Sequence, residues 1–215
     1  MTNQRPIGTV QFDNTGRVVL VTGGSSGVGA AVRDAFADSG AKVLVADIQP
    51  PLMDDVDRDP KRSFQYVECD TSDESACQSV VAQVIDQHGA IDVLVNNAAI
   101  QPKGSYHPID AVPREVWERM VAVNFCGYMS MAAAVLGIMK RQGSGVVVNV
   151  ASGQAHRTAR EVGVYGPIKS GNVMQARQWG VEYARDGSRV LSVYPGAIDT
   201  PMSRESRQEQ GGEAA

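Results

Sequence analysis

Short apolar runs rich in β-branched residues alternate along this chain with longer segments of helical pattern, and this order restricts the fold more than any other feature. Strands without polar alternation are typical of a sheet that is covered on both faces. When such strands alternate with helices, the sheet is parallel and its crossovers are right-handed. We therefore predict strands at residues 17–21, 42–46, 64–69, 91–95, 146–150 and 189–194, and helices at residues 28–39, 74–88, 113–142 and from 165 to about 186.

No repeat or internal boundary interrupts this order, so residues 1–202 are predicted to form a single domain. Residues 49–62 are rich in proline and aspartate and are interpreted as a surface loop. The apolar stretch 129–139 is bounded by Lys140 and Arg141 and is interpreted as part of a buried helix. No contact with a membrane is therefore predicted.

The overall composition excludes several classes of protein. Hydrophobic residues make up 43% of the chain and charged residues 20%, which is ordinary for a soluble globular protein. The net charge of −4 argues against a nucleic-acid partner bound by bulk electrostatics. The three cysteines lack metal-ligand spacing, so no metal site is predicted, and they are interpreted as reduced thiols of a cytoplasmic protein. Residues 1–11 are polar and lack the apolar core of an export signal.

A glycine-rich segment follows the first predicted strand and opens the first predicted helix. Its residues are Thr22, Gly23, Gly24, Ser25, Ser26, Gly27, Val28 and Gly29. Glycines let backbone N–H groups approach a phosphate closely, and the helix N-terminus favours negative charge. The alternative is a plain glycine-rich turn, but the position between strand and helix favours a dinucleotide site. The prediction is therefore an α/β fold with a Rossmann-type doubly wound parallel sheet of about six strands and helices on both faces.

Asp47 ends the second predicted strand, about twenty residues after the glycine segment. An acid at this position accepts hydrogen bonds from ribose hydroxyls and repels a 2′-phosphate. Neither Ser26 nor the neighbouring Ile48 is basic. NAD is therefore favoured over NADP as the cofactor, and the alternative is that Asp47 is a solvated acid at a strand end.

Tyr165 and Lys169 lie four residues apart at a predicted helix start, so that phenol and ammonium share one helix face. Pro167 is compatible with this because proline is tolerated in a first helical turn. A nearby cation favours the phenolate and is expected to lower the pKa of Tyr165, which would make it a proton-transfer group. A Tyr-x-x-x-Lys pattern alone is common, but Ser152 follows the preceding strand and completes a candidate site.

Polar residues follow the other predicted strands at their carboxyl ends, where doubly wound sheets bind ligands. Any one of them is more often a turn or cap residue, but together they indicate one crevice. They are Asp70, the run Asn96-Asn97-Ala98-Ala99, Ser152, and Pro195-Gly196.

These motifs, in this order, resemble those of the short-chain dehydrogenase/reductase family over residues 16–202. The departures are Ala99 where the family has glycine and Ile168 where many members have serine. The resemblance implies that Tyr165 is the general acid/base, that Lys169 lowers its pKa and holds the nicotinamide ribose, and that Ser152 polarises the substrate oxygen. The catalytic residues that the resemblance implies are Asn124, Ser152, Tyr165 and Lys169.

The resemblance also implies that Asn124 anchors a water that connects Lys169 to solvent, with a helix kink or helix–helix hydrogen bond as its alternative role. Two loops, 100–112 and 153–163, are expected to flank the substrate. The expected substrate contacts are Ser152, His156 and Tyr165. The expected cofactor contacts are Thr22, Gly23, Ser25, Ser26, Gly27, Val28, Gly29, Asp47, Ile48, Asp70, Thr71, Asn97, Ala98, Ala99, Tyr165, Lys169, Pro195, Gly196, Ile198 and Thr200.

The function that this resemblance implies is hydride transfer between NAD(H) and a secondary alcohol or ketone. One alternative is a non-catalytic NAD-binding protein that senses redox state, and another is a dehydratase or epimerase of sugar nucleotides. A homodimer through the helices at 113–142 and 165–186 is expected, with a homotetramer as the alternative.

Residues 203–215 form a short polar run that is expected to be a mobile tail. Members of the family usually continue after this point with a helical lid, a further helix and a seventh strand. The seventh strand is therefore expected to be absent, which would expose the edge of the sixth. Either the enzyme is naturally shortened with an open site, or the sequence is part of a longer one.

Overall fold

One parallel sheet with the strand order β3-β2-β1-β4-β5-β6 organises the chain, and the predicted doubly wound fold is confirmed. The computed structural model describes residues 10–51, 64–209 and 211. Most of the surface loop predicted for 49–62 lies outside these residues. The strands are β1 (Val18–Thr22), β2 (Lys42–Asp47), β3 (Phe64–Glu68), β4 (Val93–Asn96), β5 (Gly145–Val150) and β6 (Ser188–Val193).

Five α-helices connect or follow these strands in the described residues. They are α1 (Gly27–Asp38), α2 (Glu74–His88), α3 (Arg114–Gln142), α4 (Tyr165–Tyr183) and α5 (Pro201–Glu209). Local chemistry explains why α2 begins and ends where predicted. The Asp73 carboxylate accepts hydrogen bonds from the N–H groups of Ser75 and Ala76, and Gly89 adopts a left-handed conformation with φ of 76°.

Helices cover both faces of the sheet. On one face, side chains of α2 and α3 such as Val81 and Met131 pack against Leu20 and Leu94. On the other face, α1 packs partly buried side chains such as Phe36 against the valines of β1 and β2. The carboxyl ends of the strands therefore open between α1 and the helices of the opposite face, where a doubly wound sheet forms its ligand crevice.

Helix α3 is interrupted by a π-helical turn, Ala122–Cys126. A π turn displaces carbonyl groups from their usual helical partners. Here two of them are paired by side chains of α4: Asn172 donates to the Asn124 carbonyl at 3.0 Å, and Gln175 donates to the Phe125 carbonyl at 3.2 Å. The turn holds Asn124 in a fully buried position beside the fourth strand's end.

Helix α3 is also long and apolar enough to cross a membrane, judged by length and composition alone. Its side chains Met131, Val135 and Met139 are buried in the core against the sheet. This packing agrees with the prediction of a buried helix at this place in the sequence, and core helices often pass the same test of length and composition.

Strand β6 forms one edge of the sheet, and the described residues include no strand beyond it. Its side chains Leu191 and Val193 are 42% and 39% exposed, whereas the central strand β1 is buried throughout. The expected exposure of the sixth strand's edge is therefore present in the part of the chain that the structure describes.

The expectation of a mobile tail from residue 203 is wrong for residues 203–209, which belong to α5. Thr200 and Ser203 cap this helix reciprocally, because each side-chain oxygen accepts a hydrogen bond from the backbone N–H of the other. Pro201 occupies the first helical position, where its fixed φ is favourable. These capping interactions explain why such a polar segment is helical.

Candidate active site

The carboxyl ends of the strands line a cavity of about 770 Å³. It brings together most of the residues that the sequence predicts for cofactor and catalysis. Those that line it are Gly23, Ser26, Gly27, Val28, Asn97, Ala98, Ala99, Ser152, Tyr165, Lys169, Pro195, Gly196, Ile198 and Thr200. A second cavity of about 70 Å³ is lined by Asp47, Ile48, Asp70 and Thr71, and it shares Gly23, Ala98 and Ala99 with the first.

The glycine segment is attached to the end of β4 by a cluster of hydrogen bonds. The Thr22 hydroxyl accepts from the N–H groups of Asn97 and Ala98, at 2.9 and 3.1 Å. The Asn97 amide donates to the carbonyls of Thr22 and Gly23, at 3.1 and 2.9 Å. Gly23 has a φ of 63°, and an added Cβ would lie 2.7 Å from the Ala98 Cα. Only glycine allows this approach of the two strand ends.

Three residues of the glycine segment that are predicted to contact the cofactor do not line either cavity. Thr22 is buried in the cluster just described. The Ser25 hydroxyl donates to the Gln49 carbonyl at 2.6 Å, and Gly29 packs against the Gly23 carbonyl. The structure therefore gives Thr22, Ser25 and Gly29 the position of residues that support the loop.

The second cavity is acidic on one side. The Asp47 carboxylate accepts from the Ser25 N–H at 3.0 Å and the Gln49 N–H at 3.2 Å, so its position is fixed at the end of β2. Asp70 forms an ion pair with Arg119 at 2.9 Å. Burial would raise the pKa of Asp70, but hydrogen bonds from Ser72 and Arg119 outweigh it and hold the pKa below its usual value. Asp70 is thus ionised at neutral pH.

These features fit a dinucleotide. The backbone of the glycine segment faces the large cavity at the start of α1, where N–H groups and the helix dipole favour a diphosphate. A side chain at position 23 would clash with the backbone at the end of β4, so glycine keeps the glycine segment close to this strand. The fixed carboxylate of Asp47 lies at the second cavity, where it can accept hydrogen bonds from a ribose.

Tyr165 opens α4 and lines the large cavity, and its pKa is raised to about 12. Burial is the main cause, the nearby Tyr106 adds to it, and a hydrogen bond with Ser152 acts in the opposite direction. The predicted lowering of the Tyr165 pKa by Lys169 is therefore not present in this structure. Desolvation of the phenolate outweighs the helical neighbour that the sequence suggests.

Lys169 is almost completely buried, with 1% of its surface exposed. Its Nζ donates to the Val150 carbonyl at 2.8 Å and to the Tyr128 hydroxyl at 3.3 Å, and it lies 5.6 Å from the centre of the Tyr165 ring. Burial lowers the pKa of Lys169 to about 7. The amine therefore exists in both charged and neutral forms near neutral pH.

Asn124 uses its side chain to fix the loop after β4. Its Oδ1 accepts from the Ile100 N–H and its Nδ2 donates to the Ile100 carbonyl, both at 2.8 Å. Asn124 does not line the large cavity. Its predicted part in a water path from Lys169 stays a prediction.

His156, predicted as a substrate contact, packs against Tyr194 with ring centroids 4.5 Å apart and the rings tilted by 44°, and it is not among the residues that line the cavity. The Ser152 side chain accepts from the Gln154 N–H at 3.2 Å. The lining also includes Gln101 and Gln154, which belong to the two loops expected to flank the substrate. Sequence reasoning gave no role to three additional lining residues, Met202, Ser206 and Arg207.

Helix α5 supplies these three residues and covers part of the cavity. Tyr106 donates to the Ser206 hydroxyl at 2.6 Å, and the Gly104 N–H donates to the Glu209 carboxylate at 2.6 Å. These bonds join α5 to the loop that follows β4. The Thr-Pro-x-Ser capping pattern at residues 200–203 is the sequence signal that could have revealed this helix.

Comparisons with known proteins agree with this architecture. Residues 17–211 match the family model described as short chain dehydrogenase. The chain is 34% identical to levodione reductase of Leifsonia aquatica over 91% of its own length and 74% of that protein. It is 34% identical to cis-4-hydroxycyclohexanecarboxylate dehydrogenase of Sinomonas cyclohexanicum over 86% of its length and 75% of that protein.

A crystal structure of levodione reductase superposes with a TM-score of 0.86 and 34% identity. The alignment covers 93% of this chain and 78% of that one. The matching family model, the two relatives and this structure all describe the same type of enzyme. The chain therefore belongs to the short-chain dehydrogenase family of NAD(P)-dependent oxidoreductases.

Proposed function

We propose that this protein is an oxidoreductase that uses NAD(H) to interconvert a secondary alcohol and a ketone, with Tyr165 as the general acid/base. One observation carries the proposal. Ser152, Tyr165 and Lys169 line the same cavity as the glycine segment, so that a substrate oxygen and a nicotinamide have access to one space. A bound nicotinamide would supply or accept the hydride, and the chain supplies the proton and the orientation.

The proton step is assigned to Tyr165. During reduction of a ketone its phenol donates a proton to the substrate oxygen, and during oxidation the phenolate accepts it. Because its pKa is about 12, the phenol is protonated at neutral pH and suits the reductive direction. Ser152, which forms a hydrogen bond with Tyr165, holds and polarises the same oxygen. Protonated Lys169 stabilises the phenolate as it forms.

The preference for NAD over NADP rests on Asp47. Its carboxylate is held by two backbone N–H groups at the second cavity. A 2′-phosphate in that place would face this negative charge, whereas a ribose 2′-hydroxyl could donate to it. The residues proposed to hold the rest of the dinucleotide are those of the glycine segment and of the cavity rim from Pro195 to Thr200.

The substrate class is supported by the names of the relatives. One is called a reductase of levodione and another a dehydrogenase of a hydroxycyclohexanecarboxylate. A cavity of about 770 Å³ can hold the nicotinamide end of a cofactor together with a small molecule. We therefore propose small alcohols and ketones, including cyclic ones, as substrates.

We also propose a homodimer, with a homotetramer as the alternative. Apolar side chains are exposed on the outer faces of α3 and α4, namely Met129 at 46%, Met174 at 59% and Val181 at 79%. Pairing of these faces between two copies would bury them. Sedimentation at micromolar concentration tests this, and a monomer there would contradict it. A cytoplasmic location likewise stays a proposal.

The variant Tyr165→Phe tests the proposed function. It removes the proton donor and keeps the ring, so we expect NADH binding within about twofold of the wild type and a loss of ketone reduction of about 10³-fold. Tyr183→Phe near the end of the same helix is the matched control and should keep full turnover. Turnover by Tyr165→Phe at the wild-type rate would contradict the assignment. NADH binding by the wild type without turnover of any ketone in a broad panel would favour the redox-sensing alternative.

A further inference from the structure

A second buried tyrosine, Tyr128, contacts the amine of Lys169. It lies in α3 just after the π-helical turn and is 1% exposed. Its hydroxyl accepts a hydrogen bond from Lys169 Nζ at 3.3 Å and donates to the Val150 carbonyl at 3.0 Å. Since Lys169 Nζ also donates to the Val150 carbonyl, at 2.8 Å, the three polar atoms form a closed triangle at the end of β5.

A buried ammonium requires acceptors, because burial without partners strongly disfavours the charge. Tyr128 provides one of the two acceptors found for Lys169, and its ring centre lies 5.2 Å from Nζ, within range of a cation–π interaction. The two hydrogen bonds occupy two of the three N–H donors of the ammonium. One donor is left for the cavity.

The neighbouring amide side chains make hydrogen bonds to one another and to backbone carbonyls. The carbonyls of Asn124 and Phe125 accept from Asn172 and Gln175, as described above. The Asn149 side chain bonds to Asn96 and to the Asn172 carbonyl. Among the described residues, Tyr128 is the side chain that accepts a hydrogen bond from Lys169.

The titratable groups that face Lys169 are Tyr165 from its own helix and Tyr128 from α3. Strand β5 contributes the backbone carbonyl of Val150, which does not titrate. Burial, with a contribution from Tyr165, raises the pKa of Tyr128 well above its usual value. Tyr128 therefore remains a neutral phenol, which can accept from an ammonium throughout the working pH range.

We propose that Tyr128 is a positioning residue that holds the protonated amine of Lys169 at the end of β5, beside Tyr165. Tyr128 acts through Lys169, since it does not line the large cavity. The consequence for catalysis rests on the proposed function. The contact between Tyr128 and Lys169 is independent of the proposed function, and its effect on Lys169 can be measured without turnover.

The test is a titration of Lys169 by NMR in protein carrying ¹³C- and ¹⁵N-labelled lysine, with the signal assigned by its loss in Lys169→Met. Wild type, Tyr128→Phe and the control Tyr183→Phe are compared without added ligands. Removing the Tyr128 hydroxyl, which accepts from the ammonium, makes the charged form of Lys169 less stable, so Tyr128→Phe should lower the Lys169 pKa by about one pH unit. Tyr183→Phe should leave it unchanged. If Tyr128→Phe fails to fold, 3-fluorotyrosine at position 128 keeps the shape, weakens the acceptor and should give a smaller decrease.

Kinetics then test the consequence. Tyr128→Phe should lower kcat for ketone reduction about tenfold, keep KM for NADH within about twofold, and move the alkaline limb of the rate profile to lower pH, as the NMR titration does. An unchanged Lys169 titration, even with lower stability, assigns Tyr128 a purely structural role and overturns the inference. If the wild type reduces no ketone and the NMR shift occurs, the positioning inference holds and the proposed function fails.

Discussion

The close packing of Gly29 against the glycine segment leads to a quantitative prediction for Gly29→Ala. Gly29 lies in the first turn of α1. An added Cβ would come within 2.5 Å of the Asn97 amide nitrogen and closer still to the Gly23 carbonyl. The amide nitrogen makes two hydrogen bonds, to the carbonyls of Thr22 and Gly23. The methyl group therefore displaces the Asn97 amide and breaks the hydrogen bonds that join the ends of β1 and β4.

The magnitude follows from three contributions. Inserting a methyl group into a packed site costs about 1 to 3 kcal/mol. Loss of the two Asn97 hydrogen bonds adds about 1 kcal/mol each. Alanine is favoured over glycine in a helix by about 1 kcal/mol, which offsets part of this. The free energy of unfolding should fall by about 2 to 4 kcal/mol, equivalent to about 4 to 16 °C in Tm.

Two measurements check this prediction: the Tm from thermal unfolding and the Kd for NADH from calorimetry. The displaced segment is the proposed diphosphate site, so the Kd should rise at least tenfold. Gly137→Ala is the matched control, since Gly137 lies near the C-terminal end of α3 and its added Cβ has only Arg141 Nη1 nearby, at 3.9 Å. It should stabilise the protein by about 0.5 to 1 kcal/mol. If Gly29→Ala unfolds at the wild-type temperature and binds NADH as tightly, the packing argument is refuted.

Three further predictions concern charge, cofactor choice and the α5 contact. Between pH 7 and about 10 the unfolded chain binds the Lys169 proton and the folded chain has released it, because the folded pKa is about 7. The free energy of unfolding should therefore rise with pH by about 1.4 kcal/mol per pH unit. Chemical denaturation at several pH values measures this rise, and Lys169→Met should not show it. Asp47→Asn removes the charge and keeps an acceptor for the Ser25 N–H, so the ratio of kcat/KM for NADPH to that for NADH should increase about tenfold. An unchanged ratio would show that Asp47 does not set the cofactor preference. Ser206→Ala removes the hydrogen-bond partner of Tyr106, so KM for the ketone should rise severalfold while kcat stays within about twofold of the wild type. An unaltered KM would show that the hydrogen bond between Tyr106 and Ser206 does not affect substrate binding.

The fold was largely predictable because its signals are local and repeated. All six strands begin and end within two residues of their predicted bounds, since each is an apolar run interrupted by polar or glycine residues. Helix α2 was predicted with its bounds because Asp73 and Gly89 are strong end signals. Helix α5 was missed because its nine residues are polar, and the cap at Thr200 outweighs their composition.

The site was predictable as a set of positions but not as a set of environments. Motif order placed Tyr165 and Lys169 in the large cavity, where the structure has them. The pKa values of these two side chains depend on how deeply other elements of the fold bury them, and this burial cannot be read from the sequence. The same holds for Tyr128, whose contact with Lys169 depends on how α3 and α4 pack around the π-helical turn.

The attachment of helix α5 also has a kinetic consequence. A helix of nine residues has little stability of its own, and the two hydrogen bonds that join it to the loop after β4 are worth about 1 kcal/mol each. Breaking both costs about 2 kcal/mol, which places roughly 3% of molecules in a detached state at equilibrium. Backbone amides of α5 should therefore exchange with deuterium far faster than those of β1, and ligands can enter through this local opening without waiting for the sheet to unfold.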